Sequence, residues 1–244
     1  MNVGEVWTMN DSYIEKFVDI NGKVTLRNAF ARFRIVCFAG LKFLFDRIVA
    51  TIGLILCLPL LIIIAIAIKI DSRGPVLFKQ ERTGKKGKNF YVYKFRTMVA
   101  NNDVHDFSKA DQHTKVGKIL RATSLDEIPQ LFSIAIGKMS FIGPRPWIPD
   151  YYENMNETQR NRCSVRPGLT GLAQVNGRNN ITIFDKINYD LEYIKNYSLI
   201  QDIKIVFLTI KVVFTGSGAD AGKGTIHDEL EDLKKQKKVR KLKK

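Results

Sequence analysis

Residues 48–68 read IVATIGLILCLPLLIIIAIAI, 21 positions without a charge between Arg47 and Lys69. As a helix this run is about 31 Å long, enough to cross the hydrocarbon core of a bilayer. It begins too far from the N-terminus, and lacks the small-residue cleavage site, to be a secretory signal. A single spanning helix is one reading. Pro59 stands in the middle, where it removes a backbone donor and crowds the carbonyl of Ile55, so a kink is expected. The flanks add a second argument. The twenty residues before the run carry four basic side chains (Arg32, Arg34, Lys42, Arg47), and the twenty after it carry seven. A straight span puts one basic flank outside, against the positive-inside tendency. A hairpin that turns back at Pro59 keeps both flanks on one face, and this re-entrant, monotopic path is the expectation.

Composition bounds the rest. The chain has 244 residues, enough for one large domain or two small ones, and its 45% hydrophobic content is ordinary. The net charge of +15 is not ordinary and calls for an anionic partner: nucleic acid, anionic lipid or a phosphorylated substrate. Eight of those charges lie between Lys234 and Lys244, a run that is either a solvated tail or a hold on an anionic membrane surface. Cys37, Cys57 and Cys163 are odd in number and far apart, which argues against a disulfide framework. His105, His113 and His227 show no metal-ligand spacing with each other or with the cysteines, so a zinc site is not expected.

Outside the apolar run, residues 1–40 form an extension of no legible role, and Ala29 to Arg47 reads as an interfacial helix leading into the membrane segment, residues 41–70. From Pro75 to Met98 two β-rich runs flank a Gly/Lys turn, the pattern of a hairpin. Asp103 to Asp111 reads as a polar loop, and helical patterns follow at Lys115–Arg121, Pro129–Ile136, Pro149–Arg162 and Phe184–Asn196. Leu199 to Phe214 has helical apolar spacing, and with Lys204 and Lys211 it either packs on the core or lies in a lipid interface. Residues 216–244 turn Gly-rich, acidic and then basic, and little fixed structure is expected there. The fold class expected is α+β and mostly helical: the re-entrant membrane helix, then a catalytic domain over 71–215 with a β-hairpin and interfacial amphipathic helices.

Four segments combine phosphate-seeking side chains with stiff backbone. In YKFRTM (93–98), Lys94 and Arg96 stand two apart, on one face of a strand. In RATSLDEIPQL (121–131), Arg121 precedes the adjacent carboxylates Asp126 and Glu127. Ser124 and Glu127 have capping-box spacing, so the acids also suit a helix opening. A helix starting nearer Pro129 instead leaves both acids at its mouth. In FIGPRP (141–146), Arg145 is held between two prolines. In VRPGLTGLAQVNGR (165–178), Arg166 and Arg178 surround Gly168, Gly171 and Gly177, with Gln174 and Asn176 between them. Each segment alone is more often a solvated turn than a site, and no Walker or dinucleotide glycine pattern is present.

The order of the four segments behind one apolar run resembles the bacterial sugar transferase family, over about Phe43 to Phe214. The likeness is to its small membrane-bound polyprenyl-phosphate phosphoglycosyl transferases. That resemblance implies transfer of sugar-1-phosphate from a UDP-sugar to polyprenyl phosphate, with UMP released, through a phosphosugar intermediate on Asp126 and with Mg2+. It implies Asp126 and Glu127 as the catalytic and metal-holding pair. It also implies a helix broken at Pro59, although the small members carry Ser where this chain has Leu58. Lys94, Arg96, Arg121, Arg145 and Arg166 are the candidate phosphate ligands, since guanidinium and ammonium groups neutralise and clamp phosphate oxygens. Gly168, Gly171, Gln174, Asn176, Gly177 and Arg178 are the candidate nucleotide and sugar loop. The expected setting is the cytoplasmic face of a bacterial inner membrane, on anionic lipid and without nucleic acid. A basic membrane-anchored scaffold is the competing reading. It explains the charge but gives TSLDEIPQL and GPRP no task.

Overall fold

A computed structural model describes residues 26–99, 112–177, 180–215 and 226–242. The protein is mostly helical with two small sheets. In chain order the elements are α1 (Leu26–Asp71), β1 (Leu77–Thr83), β2 (Asn89–Phe95), α2 (Lys115–Ala122), α3 (Gln130–Ala135), β3 (Ser140–Ile142), α4 (Pro149–Asn154), α5 (Glu157–Arg160), β4 (Gly168–Thr170), α6 (Leu172–Val175), α7 (Ile183–Lys195), α8 (Leu199–Thr215) and α9 (Ile226–Leu242). The polar loop expected at Asp103–Asp111 falls outside the described residues.

α1 carries the apolar run and is a single helical element with Pro59 inside it. It is long and apolar enough to cross a membrane, and only 11% of its apolar window is buried within the protein. Ile52, Ile55, Leu56, Ile62, Ile63 and Ile66 all stand exposed. Covering a large aliphatic side chain is worth about 1.5–3 kcal/mol, so such a surface calls for an apolar surrounding rather than water. By length and composition α1 is the candidate membrane helix of this protein.

The chain divides into two compact units, and the division does not follow the boundaries expected at residues 40 and 70. One unit holds residues 47–81 and 91–137. Its core joins Ile64 and Ile68 of α1 to Phe95 of β2 and Leu120 of α2. Two polar ties fix α1 there: Arg47 Nε donates to the Ala135 carbonyl at 3.0 Å, and the Val116 N–H donates to the Asp71 carboxylate at 2.9 Å.

The other unit holds the described residues up to Asp46, residues 82–90, and residues from 138 on. β3 and β4 pair in parallel, with Ser140 opposite Gly168 and Ile142 opposite Thr170. Behind them lie Val165, Leu172, Tyr193, Ile194 and Ile205. A second cluster gathers Trp147, Tyr151, Met155, Ile183, Ile187 and Leu233. The helix expected over Pro149–Arg162 is broken, because Met155 is extended and Asn156 restarts the chain with its own capping box.

The expectation of a structureless tail is corrected here. Residues 226–242 form α9, and Leu233 is fully buried against the Trp147 cluster. Gln159 and Gln236 share a hydrogen bond of 2.9 Å, and Lys237 donates to the Glu153 carbonyl at 2.8 Å. The run of charge hid a short apolar stripe, Leu230 and Leu233, three residues apart on one helix face.

Candidate active site

The two adjacent carboxylates occupy a turn that is built from both sides. Thr114 caps α2 by accepting the Gly117 N–H at 3.0 Å. Gly117 backs so closely on Thr97 that a Cβ there would lie 2.0 Å from the Thr97 carbonyl oxygen, so only glycine fits. α2 stops at Ala122, and Ser124 takes a left-handed conformation (φ 57, ψ 17), unusual for a residue other than glycine. The chain then makes one 3-10 turn, Leu125–Glu127, before Pro129 opens α3. Ser124 makes no side-chain cap, so the capping box that its spacing with Glu127 suggests does not form. The start near Pro129 is what the structure adopts, and it leaves Asp126 and Glu127 before the helix rather than within it.

Lys94 on β2 pairs with Glu127, both partly shielded from water. Burial pushes the Asp126 carboxyl above the ordinary carboxylate range, Lys94 opposes this, and Glu127 adds to it. Arg121, on the last turn of α2, also favours the ionised form. Its Nη1 donates to His113 Nε2 at 2.9 Å, while His113 Nδ1 lies 3.3 Å from the Thr97 carbonyl oxygen. A guanidinium only donates and a carbonyl only accepts, so these contacts place the imidazole proton on Nδ1. His113 thereby orients Arg121. No spacing in the sequence signals that role, because the partners meet only when Met98 and His113 form their bridge.

Arg96 does not join this group. Its guanidinium donates to the carbonyls of Arg73 and Ser72 at 2.6 and 2.7 Å and to the Ser72 hydroxyl at 2.8 Å. It closes the end of α1 and is 6% exposed, so the expected phosphate ligand is a structural clasp. Strand alternation groups Lys94 with Arg96; the chain leaves β2 after Phe95, and the two head groups take different partners.

In the other unit, GPRP is pinned carbonyl by carbonyl. Pro144 accepts the Gly168 N–H at 3.0 Å, Arg145 accepts Arg162 Nη2 at 2.8 Å, and Pro146 accepts Arg82 Nη1 at 3.3 Å. Gly168 and Gly171 were expected to bring backbone to a ligand; in the structure they bring backbone to backbone. A Cβ on Gly168 would lie 2.1 Å from the Gly143 nitrogen, and one on Gly171 would lie 2.2 Å from the Gly143 oxygen. Asn176 Nδ2 donates to the Leu172 carbonyl at 2.8 Å, and Gly177 turns the chain at φ 153. Arg178 lies outside the described residues. Gln174 is different: both atoms of its amide are buried without a hydrogen-bond partner, which suits a polar ligand group. Arg166 stacks over the Phe43 ring at 4.0 Å.

Arg162 was not singled out by its sequence context. Its Nε and Nη2 both donate to Asp190 Oδ2, at 2.9 and 2.6 Å, and its guanidinium lies 3.6 Å over the Trp147 ring. Burial raises the Asp190 carboxyl, and Arg162 opposes that shift.

Among the described residues no group of three or more His, Cys, Asp or Glu side chains converges as a metal cage. Two adjacent carboxylates still fit a Mg2+ ion of the kind completed by substrate phosphate and water, which takes one or two carboxylates from the protein.

Comparison with known proteins gives a consistent picture. A family model described as bacterial sugar transferase matches residues 38–216. The chain is 45% identical over 190 residues to a UDP-glucose:undecaprenyl-phosphate glucose-1-phosphate transferase of Klebsiella pneumoniae, covering 73% of this chain and 41% of that protein. It is 44% identical over 186 residues to the galactosyl transferase CpsE of Streptococcus agalactiae, covering 70% and 41%. It is 41% identical over 181 residues to EpsL of Bacillus subtilis, an uncharacterised sugar transferase, covering 73% and 89%. The chain thus spans about two fifths of the length of the first two.

Proposed function

The chain belongs to the bacterial sugar transferase family, and on that premise we propose that it moves a sugar-1-phosphate from a UDP-sugar to a polyprenyl phosphate and releases UMP. The observation that carries the proposal is the Leu125–Glu127 turn. It presents a half-buried Asp126 on a 3-10 turn between two α-helices, beside a Glu127 that is already neutralised by Lys94 and near a cationic Arg121.

In the first step a carboxylate oxygen of Asp126 attacks the phosphorus that bears the sugar. The bond from that phosphorus to the bridging oxygen breaks, and UMP leaves with the oxygen and its electron pair. An acyl phosphate of the sugar remains on Asp126. In the second step a phosphate oxygen of the polyprenyl phosphate attacks the same phosphorus, the aspartyl oxygen departs as carboxylate, and the lipid carries the sugar diphosphate. Both steps need charge on the transferred group neutralised and the nucleophile held in line. Lys94 and Arg121 are placed to supply the positive charge. Asp126 and Glu127 are the residues that would hold Mg2+, and the ion would supply further neutralisation of the diphosphate.

The apolar surface of α1 and the exposed Leu199, Ile203, Val206, Phe207 and Ile210 of α8 support a seat in one leaflet. There the lipid acceptor is met at the bilayer surface without being extracted. The re-entrant path at Pro59, with both basic flanks on the cytoplasmic face of the inner membrane, is part of the proposal, as is a first membrane step in a surface glycan pathway. The test is UMP release by the purified protein given polyprenyl phosphate, Mg2+ and a panel of UDP-sugars. Release with at least one donor is expected, and no release with any donor would overturn the assignment.

A further inference from the structure

A pocket in the unit that holds Arg166 has a chemistry the dyad does not use. Val36, Ala39 and Phe43 of α1 form its apolar wall, and Lys85, Ser164 and Arg166 its polar one. The cavity measures about 30 Å3, more than the roughly 10–15 Å3 that one water requires. Lys85 sits on the 3-10 turn Lys85–Gly87 between β1 and β2, where Lys86 and Gly87 both take positive φ and fix the turn. Burial, with Arg166 and Lys86 nearby, pushes the Lys85 ammonium down to about 8. No carboxylate pairs with it among the described residues. Ser164 is 5% exposed, and its hydroxyl has no hydrogen-bond partner.

Lys42 and Asp46, which also line the pocket, have partners of their own. Lys42 holds Asp202 at 2.6 Å, and Asp46 accepts the Ser140 hydroxyl at 2.6 Å. A half-buried ammonium without an acid and a buried hydroxyl without a partner, lining one pocket, are each costly alone. Both costs are removed by one oxyanion.

We infer that this pocket binds a phosphate group, with Lys85 and Arg166 neutralising the oxyanion and the Ser164 hydroxyl donating to it. The apolar wall belongs to the helix that continues into the membrane segment, so a lipid phosphate fits the pocket; a nucleotide phosphate has the same head-group chemistry. The inference requires binding only and stands apart from the transfer reaction.

The experiment uses the full chain in phosphatidylcholine nanodiscs without Mg2+. Affinity is measured for geranylgeranyl phosphate in the bilayer and, separately, for UMP in solution. Lys85→Gln is expected to weaken one of the two about tenfold and Ser164→Ala several-fold, and the ligand affected identifies the source. Lys85→Arg should retain binding. It should also remove the wild-type loss of affinity as pH rises through about 8; Lys42, Asp46, Lys86, Arg166 and Tyr197 are the other titratable or charged groups that face Lys85. Unchanged affinity of both ligands in Lys85→Gln and Ser164→Ala, no binding by the wild type, or equal weakening in Lys85→Arg and Lys85→Gln would overturn the inference. Wild-type UMP release judges the transfer reaction separately.

Discussion

Glu127 on the 3-10 turn is held by the ammonium of Lys94, 33 residues earlier on β2. The hairpin thus fixes the turn that carries the dyad. The same ammonium is the main charge opposing the effect of burial on Asp126.

Replacing Lys94 tests that coupling. A nucleophilic Asp126 works ionised, and burial already raises its carboxyl. In Lys94→Met the strongest opposing charge is gone, so the acid limb of kcat/KM for UMP release moves to higher pH than in the wild type. A lower rate with an unmoved limb would show that Lys94 acts on the substrate alone.

Asp126→Asn should abolish UMP release together with any phosphosugar adduct detected by mass spectrometry. The amide has the same shape and the side chain is only half buried, so thermal stability should stay within a few degrees. Robust turnover in this variant would refute Asp126 as nucleophile.

Ser124 reports on the turn itself. Its left-handed backbone is strained for a residue with a Cβ and worse for a β-branched one. Ser124→Gly is expected to fold and turn over normally. Ser124→Val should lose about 1–3 kcal/mol of stability and most activity, as read by denaturant titration and UMP release.

The Arg162–Asp190 pair is buried on both sides. Arg162→Met leaves the Asp190 carboxylate unmatched and should cost about 3–5 kcal/mol in denaturation. The double variant Arg162→Met, Asp190→Leu should recover part of that loss. A loss in the double variant equal to the sum of the singles would mean that the two side chains do not couple.

α9 offers the simplest stability test. Leu233→Ala should cost about 2–5 kcal/mol, because a fully buried leucine leaves a cavity among Trp147, Tyr151 and Ile183. Deleting residues 234–244 keeps Leu233 and should leave UMP release in detergent largely intact, whereas a basic scaffold would lose its main activity.

Much of this protein is legible before folding. The apolar run, the hairpin, α7, α8 and the placement of Asp126 and Glu127 ahead of Pro129 follow from local periodicity and from what proline permits. Family membership also follows from motifs read in order along the chain. Other features rest on partners distant in sequence. Arg96 carries a phosphate-seeking group, yet the carbonyls of Ser72 and Arg73 claim it. Arg162 lies in a helix-like pattern and ends in a buried pair with Asp190. Leu230 and Leu233 are two apolar residues in a field of charge, and only the Trp147 cluster makes them an anchor. The sequence by itself determined which groups are available and how each segment curls, since those depend on bonds and neighbours a few residues away. Tertiary structure alone decided which cations are committed to backbone, which meet a carboxylate, and which, like Lys85, are half-buried without one, because desolvation and pairing depend on what comes near in space.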